Sequence, residues 1–195
     1  MDKTEINSLS IGEIVANDFR ASFIFKDAGI DFCCGGKQSL GEACTEKGLN
    51  IDSLVTDLME LNAKPIGSSH NFKAWAPDFL CDYIVNTHHK FVTEKMPQLV
   101  FYTNKISDVH GDHHPELVQV SKLFKSLSDE LTQHLKNEEE VFFPAIKELK
   151  STQNQKSETT VLDEIMRLSA EHEFAGGAMD EINRITSAYK LPDDA

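Results

Sequence analysis

From Leu117 to Leu149 the chain repeats its apolar residues at every third or fourth position. The row Leu117, Val120, Phe124, Leu127, Leu131, His134, Glu138, Phe142, Ala145 and Leu149 can share one face of a helix and no face of a strand. Two members of that row, His134 and Glu138, are not apolar. A step of four residues turns about 40° beyond a full helical turn, so both side chains project into the same layer of whatever core the helix packs against. A buried carboxylate without a partner is prohibitive, and a buried imidazole needs a partner at each nitrogen. Whatever fold the chain adopts must therefore satisfy a polar layer inside an apolar stripe.

Two further segments repeat the pattern. Val161, Ile165, Leu168, His172, Ala175, Met179 and Ile182 form a row in which His172 is the only polar member. Cys81, Val85, His89, Val92, Met96 and Leu99 form another, which makes His89 the inward histidine, because the row through neighbouring His88 soon meets Lys95. These rows predict long helices over roughly 77–104, 115–149 and 158–189, separated by the polar stretches NKISDVHGDHH and STQNQKSETT. No strand-like alternation of comparable length competes with them, so the expected class is all-α, an up-down bundle with short connections. Each histidine alone reads as a satisfied core residue. Three of them with Glu138 in one layer read better as a nitrogen and oxygen ligand set suited to non-haem iron, and on donor type zinc or manganese fit as well.

Ahead of the bundle, residues 1–64 carry shorter helical patterns. Ser10 with Glu13 has capping-box spacing, and Asn50 or Asp52 can cap a helix running through Leu54, Leu58 and Leu61. Residues 65–76 lose periodicity and gather Gly, Ser and Pro, as a linker would, and Pro77 suits the first turn of a helix. The expected domains are thus 1–64, a small cysteine-bearing helical domain, and 77–195, the bundle. Thirty-two acidic against 19 basic side chains give a net charge of −13, with no dense Lys/Arg run. That balance argues against nucleic acid and anionic membrane surfaces as partners. The polar opening MDKTEINSLSIGE and the lack of a long apolar run imply a cytoplasmic protein whose four cysteines are reduced thiols. Cys44 and Cys81 read as packing residues. His110, Asp112, His113 and His114 read as solvated loop groups, although they could hold a stray metal ion. Glu139, Glu140, Glu171 and Glu173 fall off the core face and read as solvated, or at most as outer partners of the ligands.

The segment DFCCGGKQSL at 31–40, followed by THHKFVTEKMPQL at 87–99, HLKNEEEVFFP at 134–144 and AEHEFAG at 170–176, resembles the repair of iron centres family. These are ScdA-type di-iron proteins that repair iron–sulfur clusters. The resemblance covers nearly the whole chain and implies a small N-terminal domain followed by a hemerythrin-like bundle. By it His89, His134, Glu138 and His172 match iron ligands, and Glu138 matches a carboxylate bridging two irons. It also implies a di-iron cofactor and repair of clusters damaged by nitric oxide or peroxide, by supplying iron rather than by turnover. Damaged iron–sulfur proteins are then the partners. Nitric oxide or oxygen are candidate ligands, and a nitric oxide-reducing or oxygen-binding hemerythrin-like protein is the alternative reading. The adjacent Cys33 and Cys34 become candidates for a thiol transfer role, against the blander reading that they pack beside a glycine turn.

The sequence departs from the family at one place. The family draws a further histidine and a second bridging glutamate from a last bundle helix. Here the chain runs from His172 through Ile185 and Tyr189 to Ala195 without such a motif. The expectation is a C-terminally incomplete bundle holding one or two irons, with exposed apolar stripes that favour a homodimer.

Overall fold

The computed structural model describes residues 3–32, 36–65, 71–152 and 155–192. The chain divides into two compact units, Met1–Ala76 and Pro77–Ala195. Among the described residues both are helical, and the only β pairing is an isolated bridge between Ser10 and Ser39.

The first unit comprises α1 (Lys3–Ser8), α2 (Ile11–Asn17), α3 (Ala21–Asp27), α4 (Leu40–Lys47) and α5 (Ile51–Asn62). Local chemistry sets their starts. Ser10 and Glu13 form a capping box on α2, and Ser39 and Glu42 form a second on α4. In each, the serine side chain takes a helix N–H while the glutamate returns to the serine backbone. Asn50 caps α5, its Oδ1 accepting from the N–H groups of Asp52 at 2.9 Å and Ser53 at 3.3 Å. Gly48 ends α4 at φ +64°, where a side chain would be strained. Ile6, Ile11, Ile14, Phe25, Leu40, Val55 and Leu58 are fully buried, and each contributes on the order of 1.5–3 kcal/mol by leaving water. The stretch expected to be a linker reaches into this unit. Phe72 lies edge-on to Phe19 at 5.2 Å and to Trp75 at 4.8 Å, so aromatic contact binds residues that Gly and Ser content alone would leave loose.

Three long rods make the second unit. The first joins α6 (Pro77–Ile84) and α7 (Lys90–His110) through a π turn at Val85–His89. The next joins α8 (Pro115–Asn137) and α9 (Phe143–Thr152) through a π turn at Glu138–Phe142. The last is α10 (Gln155–Ile185). The middle rod packs against both others, α8 on α7 and both α8 and α9 on α10. The first rod runs past the expected 104 to His110, where Gly111 stops it. Gly111 donates its N–H to the Ser107 carbonyl at 2.9 Å, and a Cβ there would come within 2.4 Å of that oxygen. The last rod stops at Ile185, short of the expected 189, because Ser187, Ala188 and Tyr189 all take left-handed backbone angles.

Candidate metal centre

Each π turn sits where a rod carries a predicted ligand. His89 closes the first turn and Glu138 opens the second. A π turn inserts one residue into an α-helix and re-aims the side chains around it, which is why such turns gather at functional sites. Here the insertion moves the buried row by one position. Phe142, inward by strict α-helical counting, is only half-buried, whereas Phe143 is buried and stacks on the His89 ring at 5.7 Å.

The four predicted ligands converge. Glu138 Oε2 lies 3.0 Å from His89 Nε2, and Glu138 Oε1 lies 3.6 Å from His134 Nε2. His172 Nε2 is 3.3 Å from the same His134 nitrogen. Ligand atoms of His134, Glu138 and His172 all fall within 4.8 Å of one another, the one such group of metal-binding residues among those described. His89 and His134 are buried, and Glu138 is nearly so.

His172 differs from expectation. It is exposed, as are Ile165 and Met179 of its predicted row. The packed row of α10 is instead Ser157, Leu168, Ala178 and Ile182, with Glu171 half-buried in its course. The apolar stripe of α10 is wider than the strip that α8 and α9 cover, so its edge, His172 included, faces outward. Leu99 on α7 is exposed in the same way.

Of the two roles the sequence leaves to Glu139 and Glu171, solvated or outer partner of a ligand, the structure shows the second, with Glu139 still 45% exposed. Glu139 Oε1 lies 2.8 Å from His89 Nδ1, and Glu171 Oε2 lies 2.7 Å from His134 Nδ1. Arg167 in turn grips Glu171 and Glu164, and those carboxylates hold its guanidinium above its ordinary pKa. Only the adjacency of these glutamates to ligand positions hinted at this, because the contacts cross between helices. His88 is exposed, with its ring edge-on to Tyr83 at 5.6 Å. In the expected histidine loop, His114 Nδ1 pairs with Glu116 at 3.0 Å. Cys44 and Cys81 are buried free thiols, and burial raises the pKa of both. Cys33 and Cys34 lie outside the described residues.

The donor chemistry asks for a cation. A carboxylate can only accept, so His89 between Glu138 and Glu139 must present hydrogens at both nitrogens or meet a positive ion at Nε2. His134 Nε2 faces both another imidazole nitrogen and a carboxylate oxygen. A divalent metal would be held by Nε2 atoms of these histidines and the Glu138 oxygens, while His89 Nδ1 and His134 Nδ1 stay on Glu139 and Glu171.

A helical bundle whose rods each bring a histidine to one polar layer is thus the class that fold and site define. Comparison with known proteins agrees. The hemerythrin HHE cation-binding domain matches residues 82–195, and the ScdA N-terminal domain, described as a domain of unknown function, matches residues 7–62. The iron–sulfur cluster repair protein ScdA of Staphylococcus haemolyticus is 31% identical over 97% of this chain and 83% of its own length. ScdA of Staphylococcus epidermidis is 28% identical over 95% of this chain and 82% of its own, and the iron–sulfur cluster repair protein YtfE of an Enterobacter species is 30% identical over 95% and 80%. The chain belongs to this ScdA/YtfE family of iron–sulfur cluster repair proteins, with a hemerythrin HHE cation-binding domain as its second unit. No helix among the described residues is long and apolar enough to cross a membrane.

Proposed function

We propose that this chain repairs damaged iron–sulfur clusters by supplying iron from a dinuclear non-haem centre held by His89, His134, Glu138 and His172. The observation that carries the reading is the split of Glu138 between two histidine groups. One carboxylate oxygen addresses His89, and the other addresses His134, beside which His172 stands. A carboxylate so placed could hold one cation with His89 and a second with His134 and His172. His172 is exposed, so a metal held beside it would be open to solvent, which suits a centre that releases metal. When bound, the irons supply the transferable metal. The chain's own residues hold the imidazoles, Glu171 at His134 Nδ1 and the Phe143 ring stacked on His89. The reduced thiols Cys33 and Cys34 are the proposed handover groups to the client in the cytoplasm. The backbone just after them is anchored, Gly36 O accepting from Gly12 N–H at 2.8 Å and Gln38 O from Ile11 N–H at 3.0 Å.

The test adds purified, iron-loaded protein to a cluster enzyme inactivated by nitric oxide. Recovery of activity without added iron, lost in Glu138→Ala, supports the reading. Equal recovery from iron salts alone overturns it.

A further inference from the structure

Adjacent glutamates of the acidic run at 138–140 have different surroundings, and one of them has no assigned role. Glu138 points at the metal layer, Glu139 accepts from His89 Nδ1 at 2.8 Å, and Glu140 is exposed. We propose that Glu139 is the positioning residue for His89: it fixes the ring orientation and the tautomer that turns the Nε2 lone pair toward the metal. This rests on the metal centre proposed above.

Three observations support it. His89 is buried, yet its far nitrogen is held by a side chain that is itself 45% exposed, so the contact is not a by-product of burying Glu139. Glu139 lines an open groove of about 460 Å³ between α7 and α8, shared with Val92, Met96 and Leu135, and turns to His89 although that groove gives it access to solvent. The π turn makes the contact: it separates Glu138 and Glu139 around the same ring, so that one addresses Nε2 and the other Nδ1. His89 and His134 thus each lean on an outer carboxylate, but Glu171 is also gripped by Arg167. Glu139 therefore donates more electron density through its imidazole, and the His89 position should be the more dependent on its outer partner.

The test titrates the metal-free protein with cobalt(II), chosen for its visible ligand-field spectrum, in the parent and in Glu139→Ala, Glu139→Gln and Glu140→Ala. Glu139→Ala is expected to weaken the His89-side position about 10- to 100-fold and shift its cobalt bands. Glu139→Gln keeps an acceptor oxygen and recovers most of the affinity, and Glu140→Ala matches the parent. Helical circular dichroism should be the same in all four, since surface changes seldom exceed ~0.5 kcal/mol. Glu139→Ala titrating with parental affinity and spectrum overturns the positioning role alone. A parent that takes up no cobalt overturns the metal centre and this inference with it.

Discussion

Replacing Phe143 by alanine tests the shift of register that builds the site. Phe143 is 5% exposed and stacks on His89, and Phe142 beside it is half-buried, their rings 5.9 Å apart. Removing a buried phenylalanine costs about 3–5 kcal/mol from lost transfer energy and the cavity left behind. The second unit runs from Pro77 to Ala195, and ~120 residues give an unfolding entropy near 0.25 kcal/mol per degree, so the lower figure alone is a fall in Tm of about 12 °C. Phe142→Ala should cost roughly half as much, because part of its ring already faces water. The lone tryptophan, Trp75, belongs to the first unit. Its fluorescence transition should stay put while the helical circular dichroism of the second unit melts earlier. If Phe142→Ala destabilises more than Phe143→Ala, the helix is α throughout that turn and Glu138 does not stand between the histidines as described.

Other outcomes follow from the same contacts. Ser39→Ala removes the capping box of α4 and should lower the stability of the first unit by about 1 kcal/mol, read by Trp75 fluorescence in urea. Glu13 and Glu42 have pKa values below the ordinary 4.5 because serine N–H and hydroxyl groups bind their carboxylates. Their contribution to stability is therefore complete above the ordinary value and lost as pH falls through the lowered folded values. A first unit whose stability is flat across that acid range would contradict the caps. Gly12→Ala would place a Cβ 3.0 Å from the Gly36 carbonyl, a backbone atom with little room to yield. It should cost ~1–3 kcal/mol, read as an earlier urea transition in Trp75 fluorescence. An unchanged midpoint would show that the close approach of Gly12 to Gly36 is not needed.

Much of the site was legible in the sequence. His89, His134 and Glu138 interrupt apolar rows, and burying such groups demands a shared partner. Helical spacing alone therefore predicted that they share a layer, as they do, and the rods formed close to where periodicity put them. What escaped notice were features that leave no periodic trace. A π turn adds one residue to the count without changing composition, so Phe142 and Phe143 exchanged places. His172 and Leu99 belong to apolar stripes broader than their neighbouring helices cover, and stripe width does not say which edge stays open. Which histidines Glu139 and Glu171 meet is set across helices, where spacing along one chain segment carries no information. Phe72 and Trp75 joined the first unit because aromatic contacts outweighed the turn-forming residues around them.

The carboxylate shared between two histidine groups is the feature on which the proposed centre depends most. Elemental analysis after anaerobic iron reconstitution, in the parent and in Glu138→Ala, tests it directly. Two irons per parent chain, with most of that iron lost when Glu138 is removed, is the predicted result. No iron in the parent, or the same iron content in both proteins, would contradict it.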